Sequence, residues 1–225
     1  MTGICNILCF VTVVTMVTAT DYCLLTSCTE KYSHTMCKYP SSTPAIKCGY
    51  FYNIGFNDTD IRNIVNIHND LRQQIASGRE TRGRPSPQPP AVKMPYVTWD
   101  RELENIAQRW AIQCNYDYDK CRNVDRCVVG QNIGFSISSA EDSSGVQLVK
   151  GMYNGVDAFD KNKVSLPYEY DPVTIHYTQM VWANTTKVGC GQIKFQRNGL
   201  HVHHVVCNYG PSGNVIGDFI YEVKI

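Results

Sequence analysis

Ile175-His176-Tyr177-Thr178-Gln179-Met180-Val181-Trp182-Ala183-Asn184-Thr185, followed by a hairpin ending in Cys207-Asn208-Tyr209-Gly210-Pro211-Ser212-Gly213-Asn214, is the stretch around which this chain is organised. The hairpin follows from local chemistry, because Asn198-Gly199 is the strongest short turn signal and has strand-like runs on both sides. With those two residues as the loop, Arg197 faces Leu200 and Cys190 falls opposite Cys207. The pair flanking a two-residue loop is hydrogen-bonded. Alternation from there makes the cysteine pair a non-hydrogen-bonded one, with Cα atoms ~4.5 Å apart, at the short end of the disulfide range. A Cys190–Cys207 cross-link is therefore expected.

The N-terminus points to an extracellular compartment. Residues 4 to 17 are mostly apolar, end in Val17-Thr18-Ala19, and are too short for a bilayer span of about 20 residues. They read as a secretory signal, residues 1–20, cleaved after Ala19 or Thr20, although no Lys or Arg precedes the apolar run. Of the 11 cysteines, cleavage removes Cys5 and Cys9 and leaves an odd number. In a secreted chain that means disulfides and one leftover thiol. Zinc is the competing use, but no Cys-x-x-Cys spacing exists. With 21 Lys and Arg against 20 Asp and Glu, nothing favours nucleic acid or anionic membranes as partners.

Residues 21–57 read as a cysteine-rich, loop-rich extension held by cross-links. Asn57-Asp58-Thr59 and Asn184-Thr185-Thr186 are glycosylation acceptor triplets. From Asp60, Ile61, Ile64, Val65, His68, Leu71 and Ile75 recur at helical spacing, with Thr59 or Asp58 as N-cap and Gly78 as the stop. His68 lies on the apolar face, where a satisfied core histidine is expected. Gly83 to Pro90 carries Pro85, Pro87, Pro89 and Pro90 and reads as an extended, stiff surface connector. Asp100 then caps a second helix with a buried face of Leu103, Ile106, Ala107, Trp110, Ala111 and Cys114.

Asp117 and Asp119, between Cys114 and Cys121, read as solvated loop carboxylates. A strand is expected around Gly130-Gln131-Asn132. A third helix follows through Val146, Val149, Met152, Tyr153, Val156 and Phe159, weakened by Gly151 and Gly155, and Lys161 to Asp171 reads as a polar loop. In the last hairpin His201 and His203 share a face with Lys194 and Gln196, and two histidines alone are not a metal site. A solvated strand face is expected there.

His176-Tyr177-Thr178-Gln179-Met180-Val181-Trp182-Ala183-Asn184-Thr185 and Val205-Val206-Cys207-Asn208-Tyr209-Gly210-Pro211-Ser212-Gly213-Asn214 resemble the two signatures of the CAP superfamily, the cysteine-rich secretory, antigen 5 and pathogenesis-related proteins. His68-Asn69-Asp70-Leu71-Arg72-Gln73, Glu80-Thr81-Arg82-Gly83 with Pro87-Gln88-Pro89-Pro90-Ala91, and Val129-Gly130-Gln131-Asn132 narrow the resemblance to the insect venom allergen 5 branch. The resemblance implies an α+β fold: a disulfide-rich, three-layer α-β-α sandwich with a central antiparallel sheet, over residues 58–225. It implies disulfides Cys23–Cys37, Cys28–Cys121, Cys48–Cys114 and Cys190–Cys207, with Cys127 as the free thiol.

Many members of that family hold a divalent metal in a cleft of two histidines and two acidic groups. Carried over by position, these fall on Tyr118, Gln131, Gly155 and His176, so only His176 is retained. A phenol and a carboxamide are poor ligands near neutral pH and glycine has no side chain, so neither a metal nor another cofactor is expected. His176 also lacks an acidic partner to orient it, and no catalytic residue is expected. Met152 and Gly155 stand where the family tends to have tryptophan and glutamate, which suggests a more apolar cleft floor. The implied function is that of a secreted, monomeric, non-enzymatic allergen-like glycoprotein of venom, saliva or haemolymph, binding an unknown extracellular target. The competing functions are a carrier of small lipids or sterols and a metal-dependent hydrolase using His176.

Overall fold

The computed structural model describes residues 20–140 and 144–224; residues 1–19 of the expected signal lie outside the described residues. The strands are β1 (Phe51–Ile54), β2 (Thr98–Trp99), β3 (Gly130–Ser138), β4 (Lys187–Arg197) and β5 (Leu200–Gly210). They form one sheet in the order β1-β4-β5-β3, antiparallel except where β2 pairs in parallel with the start of β4. The hairpin register is Arg197 with Leu200 and Cys190 with Cys207. Asn198 and Gly199 both take positive φ, 53° and 76°, as a two-residue turn of this hand requires.

Among the described residues four disulfides are present: Cys23–Cys37, Cys28–Cys121, Cys48–Cys114 and Cys190–Cys207. The last has a Cα separation of 4.1 Å, the short spacing of a non-hydrogen-bonded pair. Cys127 is free and half-buried.

The helices are α1 (Thr35–Lys38), α2 (Asp58–Ala76), α3 (Arg101–Ala111), α4 (Gly145–Gly151) and α5 (Ile175–Met180). On one face of the sheet α3 lies directly on β4, because Gly189 and Gly191 have no side chains. A Cβ on Gly189 would stand 2.2 Å from the Glu104 backbone nitrogen, and one on Gly191 would stand 2.3 Å from the Gln108 Cα. Asp100 caps α3 through the amides of Glu102 and Leu103, and the helix buries Leu103, Ile106, Ala107, Trp110 and Ala111. On the other face Val188, Cys190, Val205, Cys207 and Tyr209 share a core with Ile64 and Ile75 of α2, Val149 of α4 and Tyr177 and Met180 of α5.

Several sequence expectations are corrected. The N-cap of α2 is Asn57, whose side chain accepts from the Thr59 and Asp60 amides, so the helix begins at Asp58. The third helix is α-helical only to Gly151 and then tightens into a 3-10 segment, Met152–Ala158. Lys161 to Asp171 is not simply a polar loop, since Val164 and Tyr168 are buried there. The proline connector is exposed from Arg84 to Pro87 with Gln88 tucked in, and it carries cis bonds at Arg84–Pro85 and Ser86–Pro87. His203 is fully covered and pairs with Gln192 Oε1 at 2.7 Å, because helices pack on both sides of the sheet and leave no solvated central face. Asp119 is buried as well, drawn in by Arg122 and by the Thr35 hydroxyl from α1.

Arg72 on α2 is fully buried, and among the described residues no carboxylate pairs with it. Its Nε donates to Pro95 O (2.9 Å), Nη1 to Met180 O (3.0 Å) and Trp182 O (2.8 Å), and Nη2 to Ala183 O (3.3 Å) and Thr185 O (3.1 Å). Burial lowers its pKa to about 10, which still leaves it charged at neutral pH. Arg72→Met keeps the apolar stem and strands four carbonyls without donors, Trp182 O keeping the Thr185 amide. The expected loss is about 3–5 kcal/mol of unfolding free energy, measured by urea denaturation at pH 7. A loss near zero would show that the carbonyls find other donors.

Candidate functional site

Of the four positions that could form a cleft, Tyr118 and His176 come together where α5 meets the N-terminal half of β3. Helix α5 follows Thr174, and the Asn132 amide on β3 donates to His176 O at 3.0 Å, which fixes the helix against the sheet. The His176 ring is half-buried and its Nε2 lies 3.0 Å from the Tyr118 hydroxyl, a hydrogen bond across the mouth of the cleft. Burial pushes the His176 pKa down and the Tyr118 pKa up, so both are neutral near pH 7. A hydroxyl bonded to a neutral imidazole resembles a nucleophile–base pair, but among the described residues no carboxylate pairs with the His176 ring to orient it as a base.

Gln131 faces away from that pair. Its Nε2 donates to Asn208 Oδ1 at 2.9 Å, and Asn208 Nδ2 donates to Leu103 O at 3.4 Å, so the amide ties β3 through β5 to α3. Gly155 is closed over by backbone. A Cβ there would stand 3.1 Å from Val173 O, 3.2 Å from Tyr177 Cβ and 3.3 Å from Thr174 Cα. The missing side chain lets the segment entering α5 settle onto the 3-10 turn. Met152 does not form a cleft floor; it is buried with its Cε against Gly134 of β3. Among the described residues no three His, Cys, Asp or Glu side chains converge as a metal set would. Structure thus brings Tyr118 and His176 together and sends Gln131 and Gly155 to packing roles.

The conspicuous residues of the quoted stretches serve the scaffold. Asn214 Nδ2 donates to Ile175 O at 2.8 Å while its Oδ1 accepts from the Thr178 hydroxyl at 2.7 Å. Gln179 Oε1 accepts from the Gly213 amide at 3.1 Å and its Nε2 donates to the Thr185 hydroxyl at 3.3 Å, which in turn donates to Pro211 O at 2.8 Å. A Cβ on Gly213 would stand 2.8 Å from Trp182 Cβ, so only glycine lets the two stretches lie together.

Behind the cleft runs a buried polar chain. His68 Nδ1 lies 2.8 Å from Ile64 O, a carbonyl that can only accept, so Nδ1 carries the proton and Nε2 accepts from Tyr209 Oη at 3.0 Å. The same phenol oxygen is 3.4 Å from Asn132 Nδ2, the amide that holds His176 O. His68 is therefore a satisfied core histidine linking α2, β5, β3 and α5.

A second buried cluster escapes sequence reading. Glu80 is fully covered and accepts from Gln74 Nε2 (2.9 Å), the Arg82 amide and guanidinium (2.9 Å each) and Tyr153 Oη (3.0 Å). Burial alone would raise its carboxyl pKa, but the Arg82 and Tyr153 hydrogen bonds outweigh that and hold it below the ordinary value. Only the spacing Glu80-Thr81-Arg82 could have signalled an ion pair.

Burial lowers the pKa of His68 from 6.5 to about 4, and that of His204 likewise to about 4. Because the unfolded chain takes up these protons first, stability is full above pH 6.5 and is lost as pH falls toward 4. His68 alone should contribute about 3 kcal/mol across that window. Urea midpoints between pH 7.5 and 4 should fall, and less steeply in His68→Gln; equal slopes in both proteins would contradict the assignment.

The family described as CAP, the cysteine-rich secretory protein family, matches residues 65–209. Venom allergen 3 of Solenopsis invicta is 50% identical over 212 residues, covering 92% of this chain and 91% of that protein. Venom allergen 5 of Rhynchium brunneum is 45% identical over 215 residues, covering 94% of each. Among solved structures, NaASP2 with Zn2+ aligns with a TM-score of 0.62 at 28% identity, covering 76% of this chain and 88% of that one. BmVAL-1 aligns with a TM-score of 0.60 at 25% identity, covering 75% and 84%.

Proposed function

The chain belongs to the CAP family of cysteine-rich secretory proteins and is venom allergen 5-like, and from that membership we propose that it is an extracellular, non-enzymatic protein that works by binding a target through its surface. The single observation that carries this reading is the state of the cleft: its one histidine is hydrogen-bonded to a phenol rather than flanked by carboxylates. General acid–base or metal-assisted hydrolysis needs a positioned base with a group to orient it, or a set of converging ligands. Gln131 and Gly155 supply neither.

Within this reading residues 1–20 are a secretory signal, 21–57 the extension and 58–225 the family domain. Among the described residues no helix is long and apolar enough to cross a membrane. Asn57 and Asn184 are both exposed, as glycan acceptors must be. Solved NaASP2 carries Zn2+, and titration of zinc into chelator-stripped protein tests whether this chain can do the same. Calorimetry should show no stoichiometric uptake near neutral pH. Tight one-to-one binding lost in His176→Ala would overturn the reading and restore the hydrolase alternative.

A second reading, a carrier of small lipids, is favoured by one cavity. It has a volume of about 410 Å³ and is lined by Phe159, Leu166, Pro167, Tyr168, Ile216 and Ile220, with Lys163 and Asp171 also contributing. That volume lies within the range of small-molecule sites. It sits outside the cleft floor, which is closed by packing. Native mass spectrometry of purified protein should show an extractable fatty acid or sterol if this reading holds, and bare protein after incubation with both would remove it.

A further inference from the structure

Among the described residues the sheet has two outer edges, and only one of them is blunted. At β1 the strand is four residues long and its register slips between Phe51 and Asn53, the bulge that keeps an edge from pairing onward. Edge strand β3 is nine residues long and pairs with β5 without a slip from Gly130–Tyr209 to Ser138–His201. Its sequence, Gly130-Gln131-Asn132-Ile133-Gly134-Phe135-Ser136-Ile137-Ser138, has no charge and no proline, the usual guards of an open edge.

Alternation places the free backbone groups. Gly55 N donates to Gln192 O and Gln196 N to Tyr50 O, so even residues of β4 point toward β1 and odd ones toward β5. Carried across the ladder, Asn132, Gly134, Ser136 and Ser138 point their N–H and C=O groups at β5. Ile133, Phe135 and Ile137 point theirs outward, and among the described residues those groups have no backbone partner. Two of these residues present an exposed apolar row, Phe135 at 50% and Ile137 at 51%, with Leu200 40% exposed on the neighbouring strand and Ile133 buried. Near Asn132 the edge is flanked by α5, so the open part is Gly134–Ser138.

We propose that this open part of β3 pairs antiparallel with β3 of a second copy of the chain, forming a two-fold dimer with a continuous sheet. The strand is self-complementary. With the axis at Ser136, Phe135 of each copy faces Ile137 of the other across a hydrogen-bonded pair, and the two Ser136 residues meet at the axis with their small side chains. Like copies do not repel across this strand, because it carries no charge and the whole chain is at +1. A charged peptide, by contrast, would find no complementary group on the strand. Isologous pairing is the closed arrangement that removes such an edge. It takes the place of the monomer expected from sequence, and it stands or falls independently of the cleft.

Analytical ultracentrifugation of the mature chain across a concentration series should show a monomer–dimer equilibrium, and Ile137→Lys should abolish the dimer over the same range. Amide hydrogen exchange provides a readout that needs no variant: the outward Phe135 and Ile137 amides should be fast in dilute protein and protected in concentrated protein. The inward Ser136 amide should be protected in both. A monomer at every concentration, or a dimer in which Phe135 and Ile137 exchange stays fast, overturns the proposal. An unrelated strand-forming peptide protecting those amides on a persistently monomeric chain would also overturn it, assigning the edge to another partner.

Discussion

A guanidinium buried among backbone carbonyls organises this molecule. Arg72 loses its hydration and regains it as five backbone carbonyls, four of them from Met180, Trp182, Ala183 and Thr185. Met180 O is a carbonyl that a helix leaves unpaired at its C-terminus, and the other three belong to the turn beyond α5. The positive charge also sits at the negative end of that short helix. Each side would be costly to bury alone, and together they fix where α2 and α5 stand relative to each other. From there α5 is placed against β3 through Asn132, and the second quoted stretch is placed against α5 through Asn214 and Gly213.

This arrangement separates scaffold from chemistry. Thr178, Gln179, Thr185, Gly213 and Asn214 interlock through hydrogen bonds inside the scaffold. Tyr118 and Gly155 lie outside that lock. The cleft can therefore change its residues while the fold keeps its shape, and a strong family signature in this chain is a statement about packing rather than about catalysis. Gly155 makes the point physically, since its absent side chain is replaced by closer approach of the α5 entry rather than by an open site.

What could be read from sequence was what local periodicity and pairing rules control. The Cys190–Cys207 register depends on a single hairpin, and the α3 stripe and the Asp100 cap on a single helix, each a contiguous piece of chain. Arg72, Glu80, Asp119 and His203 were illegible because a polar residue on a helix or strand looks solvated until its cover is known. Arg72 is covered by the turn after α5, Glu80 packs against Tyr153 and Asp119 against Thr35, all far away in the chain. The cleft was half legible: the loss of acidic groups was plain, but the Tyr118–His176 contact and the burial of Met152 needed coordinates.

The same dependence on cover explains the cysteine-rich segment. Helix α3 buries an apolar stripe too wide for the sheet alone to shield. Ala107, Trp110 and Ala111 meet Val206 and Ile133 on the sheet, while Tyr39 packs alongside from the extension. Leu103 and Ile106 turn toward Val124 and Val129, with Tyr22 and Met36 packed against them. A segment so poor in regular structure could not hold that position by its own burial. Its attachment is instead covalent and polar: Cys28–Cys121 and Cys48–Cys114 tether it, His34 bonds Asn123 O at 2.8 Å, and the Thr35 amide donates to Cys121 O at 2.8 Å. Cross-links that close such long loops limit the unfolded chain more than they strain the folded one. The cysteine-rich segment is thus the outer wall of the α3 layer, and β1, near its C-terminal end, completes that wall by joining the sheet at β4.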